Sequence, residues 1–235
     1  MQQNNLGSPT LRSRVSAVLF DLDNTLYNRD LAFRSWAAGF VDEQFPAESP
    51  AYRAEALDQM IVIDADGYTT KKSLFEQFKA IYPSITTEIE TLCQRFYHGW
   101  LIHMALDPGT KKLLDFLDSS GIPFGIITNG PATQHLKIDQ MDLRRRTSCL
   151  FVSEEFGCAK PDPAIFRAAA SCLNTPCDRI LFVGDNPHAD IHGAHGVGMT
   201  TAWLPCGADW PAELTEVRPD YTLASLDELH ALLSV

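Results

Sequence analysis

The chain has 235 residues, 45% of them hydrophobic and 10% aromatic, so it is too apolar to be disordered and long enough to bury a sizeable core. Its 30 Asp and Glu outnumber 19 Lys and Arg, a formal net charge of −11 that leaves no large basic face for nucleic acid and argues against such a partner. No apolar run approaches the roughly 18 residues of a membrane span, and the start, MQQNNLGSPTLRSR, lacks the apolar segment of a secretory signal.

Residues 1–14 read as a polar N-terminal tail. The run VSAVLF, 15–20, is β-branched and aromatic throughout, as a strand covered on both faces is. Residues 31–45, 51–60, 71–82 and 85–100 then carry four helical patterns separated by breakers at Phe45-Pro46, Asp66-Gly67 and Tyr82-Pro83. From there strand-like runs alternate with helices: a helix over 111–118 stopped by Gly121, strands ending at Thr128 and Val152, and a proline-opened helix over 163–173. Strands ending at Val183 and Leu204, a short strand over 221–223 and a last helix over 226–233 complete the chain. Apolar strands alternating with helices predict a Rossmann-like α/β core, a parallel sheet with helices on both faces, carrying an inserted all-helical segment. The expected division is a core of 15–29 and 104–235 with a helical insert of 30–103.

Three polar clusters fall where predicted strands end, the edge at which open α/β sheets bind ligands. In Asp21-Leu22-Asp23-Asn24-Thr25 the period of two sends both aspartates to one side, although such residues also make ordinary turns. Thr128-Asn129-Gly130 offers a hydroxyl and backbone N–H groups to an anion, or a plain β-turn. Gly184-Asp185-Asn186 leads into a helix carrying Asp190, where acids also serve as caps. Lys160, just before a proline-opened helix, adds one cation. Four acidic groups at one crevice would repel an anionic substrate unless a divalent cation sat among them, and oxygen donors without thiolates favour Mg²⁺.

The set DLDNT, TNG, Lys160-Pro161 and GDNPHAD, in this order, resembles the haloacid dehalogenase superfamily of phosphohydrolases, and the helical insert resembles that family's cap. The resemblance implies that Asp21 is a nucleophile forming an aspartyl-phosphate and that Asp23 protonates the leaving group and then activates water. It implies phosphate binding by Thr128, Asn129 and Lys160, and Mg²⁺ held by the carboxylates of Asp21 and Asp185 with the backbone carbonyl of Asp23. Asp190 and Asn186 are expected to support that site. It also implies a central first strand flanked by those ending at Thr128 and Val183. The expected substrate is a small phosphate ester, and the expected enzyme a monomer or homodimer. An acid two residues after the nucleophile favours a phosphatase over the metal-free dehalogenases of the same fold, because an alkoxide leaving group needs a proton and a halide does not. A phosphomutase, a haloacid dehalogenase or a non-catalytic binding module are the alternatives.

Other signals are set aside. His188 and His192 sit four apart, as a zinc pair would, but no Glu occupies the corresponding place and the neighbouring donors are oxygens. Arg144-Arg145-Arg146 reads as a surface helix end. Six cysteines without a CxxC pair read as reduced thiols of a cytoplasmic protein.

Overall fold

A computed structural model describes residues 10–235. Residues 1–9 of the expected tail lie outside the described residues; Leu11–Arg14 form one helical turn with Leu11 buried. The chain divides into two compact units, one of the chain up to Tyr27 with Leu106–Val235, the other of Asn28–Ala105.

The second unit is all helical. Helix α1 (Arg29–Gln44) starts where the Asn28 side chain accepts from the Leu31 N–H, α2 (Pro50–Asp64) where Ser49 caps a proline-opened turn, and α3 (Lys71–Ile81) where Thr70 accepts from Ser73. Helix α4 (Ile89–Gly99) begins four residues later than its apolar pattern, because Ile85 closes a turn onto the Tyr82 carbonyl. Aromatic side chains at helical spacing fill the centre: Trp36 stacks on Phe40 at 5.3 Å and meets Phe96 edge-on at 4.7 Å, with Phe33, Phe75 and Phe78 buried around them. Asp64, 1% exposed, sits 2.5 Å from Arg29 Nη2 and 2.5 Å from Lys71 Nζ, so the end of α2 ties down the starts of α1 and α3. Just beyond it the chain turns through left-handed residues 65–67. At Gly67, φ 90°, a Cβ would come within 3.0 Å of the Arg29 guanidinium.

The first unit is a six-stranded parallel sheet: β1 (Ala17–Phe20), β2 (Phe124–Thr128), β3 (Leu150–Val152), β4 (Ile180–Gly184), β5 (Thr200–Trp203) and β6 (Tyr221–Thr222), in the order β3-β2-β1-β4-β5-β6. The predicted fold class and the central place of β1 are therefore found. Every residue of β1, β2, β4 and β5 is buried, the pattern of strands covered on both faces. The longer helices described beside this sheet are α5 (Pro108–Ser119), α6 (Gln134–Gln140), α7 (Pro163–Cys172) and α8 (Leu226–Leu233). Leu19, Ile127 and Phe182 form a core with Ile165 and Phe166 of α7, while α5 and α8 pack on each other through buried leucines. Helix α5 starts three residues before its predicted bound, because Asp107 accepts from the Thr110 N–H (2.9 Å) and hydroxyl (2.8 Å) ahead of Pro108. Helix α6 has no counterpart in the sequence reading, and the expected helix after Asp185 opens as a π-helical turn, Pro187–His192. Among the described residues, no helix is long and apolar enough to cross a membrane.

Candidate active site

The register decides which side chains meet. Phe20 of β1 lies level with Ile126 of β2 on one side and Val183 of β4 on the other. One residue further Asp21 leaves β1; two residues further stand Thr128 and Asp185. Parallel strands all end on the same edge, so these groups share it. Asn24 then takes a left-handed φ of 59°, which an Asn tolerates, and turns the chain back past Asp23.

Lys160 is the hub. Its Nζ donates to Asp21 Oδ1 (2.6 Å) and to the Ile127 carbonyl (2.8 Å), and stands 2.7 Å from Asp190 Oδ1. Two donated hydrogen bonds and the ion pair with Asp190 hold this ammonium, on a residue 4% exposed, so that it orients Asp21. The Asn129 side chain fixes the backbone that presents it: Nδ2 donates to the Lys160 carbonyl and Oδ1 accepts the Lys160 N–H, both at 2.8 Å. Asn186 caps the turn that carries Asp190 by accepting from the His188 (3.0 Å) and Ala189 (2.8 Å) N–H groups, and its own N–H donates to Asp190 Oδ2 at 3.0 Å. The Trp203 indole donates to the Asp185 carbonyl at 2.7 Å and anchors that loop.

Carboxylate oxygens of Asp21, Asp185 and Asp190 lie within 4.8 Å of one another. Three carboxylates around one ammonium leave two negative charges uncompensated if all ionise. Burial, opposed by Lys160 and reinforced by Asp190, pushes Asp21 up to about 7. Burial, followed by the charges of Asp21 and Asp190, pushes Asp185 up to about 9. The Lys160 ammonium is held charged: its burial disfavours the charge, but Asp190 and Asp21 outweigh that and raise its pKa. An all-oxygen donor set with excess negative charge fits a hard divalent cation such as Mg²⁺. The histidines lie outside this group, His188 facing Glu213 at 3.3 Å on the surface. Arg144, Arg145 and Arg146 are each paired with aspartates.

Asp23 is held apart from that cluster. Lys137 Nζ sits 2.6 and 2.7 Å from its two oxygens, Gln134 Nε2 donates to Oδ2 at 2.8 Å, and the Tyr27 hydroxyl donates to Oδ1. Burial would raise its pKa, but Lys137 above all, then Tyr27 and Gln134, bring it down to about 2. Gln134, Lys137 and Tyr27 were not anticipated from the sequence. The signal for the first two is their spacing of three, which places both on one helix face just after TNG.

Fold and site together define a Rossmann-like α/β enzyme with an acidic centre at the carboxyl edge of its sheet. A family model described as haloacid dehalogenase-like hydrolase matches residues 15–198, and the chain belongs to that family of hydrolases. It is 29% identical to pyrimidine 5'-nucleotidase YjjG of Escherichia coli, over 92% of this chain and 96% of that one. It is 28% identical to ribulose-1,5-bisphosphate 5-phosphatase of Halopiger xanaduensis, over 93% and 99%. The magnesium-bound crystal structure of YfnB from Bacillus subtilis shares the fold with a TM-score of 0.72 at 23% identity, over 94% of this chain and 100% of that one.

Proposed function

We propose that this chain is a Mg²⁺-dependent phosphomonoesterase that hydrolyses small phosphorylated metabolites through an aspartyl-phosphate on Asp21. The observation that carries the reading is the trio of carboxylates, Asp21, Asp185 and Asp190, within 4.8 Å of one another, with Lys160 paired to Asp21 and Asp190. Relatives of nearly equal identity whose names give a nucleotide and a sugar bisphosphate as substrates support phosphoester chemistry and make these two classes the first to test.

In this mechanism Lys160 holds Asp21 with one carboxylate oxygen bound and the other free to attack phosphorus. The phosphorus–ester bond breaks as the Asp21–phosphorus bond forms, and Asp23, which takes up a proton from solvent as the substrate binds, passes it to the departing alkoxide. An incoming phosphate dianion puts negative charge beside Asp23 and so raises its affinity for that proton. In the second half Asp23, again a carboxylate, takes a proton from the attacking water, the Asp21–phosphorus bond breaks, and inorganic phosphate leaves. Thr128 and the backbone at Asn129 hold the transferring group throughout. When bound by Asp21, Asp185 and the Asp23 carbonyl, Mg²⁺ offsets the charge between carboxylates and phosphoryl group. Residues 15–29 with 104–235 form the catalytic core on this reading, and 30–103 a cap that selects the substrate.

Phosphate release from a panel of sugar phosphates and nucleotides, with Mg²⁺ and with EDTA, tests it. EDTA should abolish turnover, and Asp21→Asn should lower kcat by about 10³-fold or more, as loss of a covalent nucleophile does. Full activity in EDTA, or halide release from 2-haloacids without phosphate release, would overturn it.

A further inference from the structure

Helix α6 reaches into the site with two side chains that no step above employs. Gln134 is 3% exposed, and its Nε2 lies 2.6 Å from Thr128 Oγ1, 2.8 Å from Asp23 Oδ2 and 3.2 Å from the Asn129 carbonyl. One turn on, Lys137 grips both oxygens of Asp23, a residue 114 positions earlier in the chain. A lysine that merely coats a surface gains little from one carboxylate; this one, its side chain 12% exposed, spans the pair almost evenly.

The two contacts do different things. An amide nitrogen carries two protons, and its shortest partners are Thr128 and Asp23. Because the Thr128 oxygen accepts from Gln134, its own proton must point elsewhere, which leaves it free to donate to a phosphoryl oxygen. Lys137 on both oxygens and Tyr27 on Oδ1 pin the Asp23 carboxylate in place.

We infer that Gln134 and Lys137 are positioning residues for the reaction: Gln134 aims the Thr128 hydroxyl at the phosphoryl group, and Lys137 holds Asp23 at the leaving oxygen. This rests on the phosphatase reading. The consequence is a split by leaving group. Phosphoryl binding is common to every ester, so loss of Gln134 should slow an aryl phosphate as well as an alkyl one. Proton delivery matters in proportion to the basicity of the leaving group, so loss of Lys137, although it makes Asp23 easier to protonate, should slow the alkyl phosphate through lost placement, and a faster alkyl ester would overturn the assignment.

Single-turnover phosphorylation with an alkyl phosphate and with p-nitrophenyl phosphate reads the split. Lys137→Met should slow the alkyl ester about 10-fold or more and the aryl ester less than about 3-fold, part of the 10²–10⁴ that a placed acid supplies. Lys137→Arg, which keeps a donor to both oxygens, should restore most of the alkyl rate. Gln134→Leu, with Gln134→Met as a second variant should it fold poorly, should slow the aryl ester as well as the alkyl one and weaken orthovanadate binding, measured by calorimetry, by about the factor lost on the aryl ester. Equal loss on both esters in Lys137→Met, or full rates in both single variants, would overturn the assignment. Wild-type protein silent on both esters would instead remove the phosphatase reading. The vanadate arm then still decides on Gln134: unchanged affinity in Gln134→Leu, or no binding in either protein, rejects it.

Discussion

At the scale of single residues, Gly184 shows how closely this site is packed. It is the last residue of β4, and a Cβ there would stand 2.3 Å from Asp190 Oδ2 and 2.6 Å from Asp190 Cβ. The close approach lets Asp190 face Lys160 while its other oxygen takes the Asn186 N–H. Gly184→Ala would push Asp190 away from the hub, at about 1–3 kcal/mol for overpacking. We expect it to lower the melting temperature by several degrees and to reduce Mg²⁺-dependent turnover at least 10-fold, because Lys160 would lose one of the two carboxylates that place it. Normal turnover in a crystallographically unshifted variant would refute this account of the glycine.

At the scale of elements, the helical unit depends on one buried ionic knot. Asp64 closes α2 and faces Arg29 at the start of α1 and Lys71 at the start of α3; Lys71 also lies over the rings of Phe33 (5.2 Å) and Phe96 (4.9 Å). Removing one partner of a buried ionic group leaves charges without compensation and costs about 3–5 kcal/mol. Asp64→Ala takes from Arg29 and Lys71 the buried carboxylate that they share. For a chain of this size that corresponds to a fall of roughly 6–20 °C in melting temperature, which calorimetry would read; a fall of less than 2 °C would mean that the knot contributes little. By contrast, α6 is held by few apolar contacts: Ile138 is buried, Leu136 is 44% exposed, and its other residues are polar. Seven residues with two apolar side chains carry too short a stripe to be read as a helix, so α6 emerges only when the sheet is assembled.

At the scale of the whole molecule, the acidic centre couples stability to pH. Asp185 has its pKa raised from 3.8 in a free side chain to about 9, and Asp21 from 3.8 to about 7. Above pH 4 the unfolded chain releases both protons while the folded, metal-free chain keeps them, so the unfolded state gains and stability falls as pH rises to about 9. Asp23 acts in the opposite sense and at lower pH: its contribution, present above 3.8, is lost as pH falls towards about 2. Asn at 185 does not titrate. In EDTA, Asp185→Asn should therefore gain in melting temperature over wild type between pH 5 and pH 8. Mg²⁺ should raise wild type far more at pH 8 than at pH 5 and leave the variant nearly unmoved. A difference between the two proteins that is independent of pH would contradict this linkage.

The sequence by itself determined the alternation of apolar strands with helices, the all-helical segment between β1 and β2, and the strand-end placement of Asp21, Asp23, Thr128 and Asp185. Those are local properties: periodicity, caps and breakers act over a few residues, and a buried parallel strand has to be apolar along its whole length. The central place of β1 between β2 and β4 followed from family resemblance rather than from the residues. The tertiary structure decided how the partners meet. Lys160 reaches Asp21 across 139 positions and Lys137 reaches Asp23 across 114, both through the β3-β2-β1-β4 side of the sheet. No local pattern encodes such a pair, because register and crossover packing fix which side chains face each other once the strands align. The same assembly gave the two aspartates of one short motif opposite surroundings. Asp21 is shifted up by burial and by the acids around it, whereas Asp23 is ringed by donors and shifted down, a separation that depends on what the rest of the fold brings beside each.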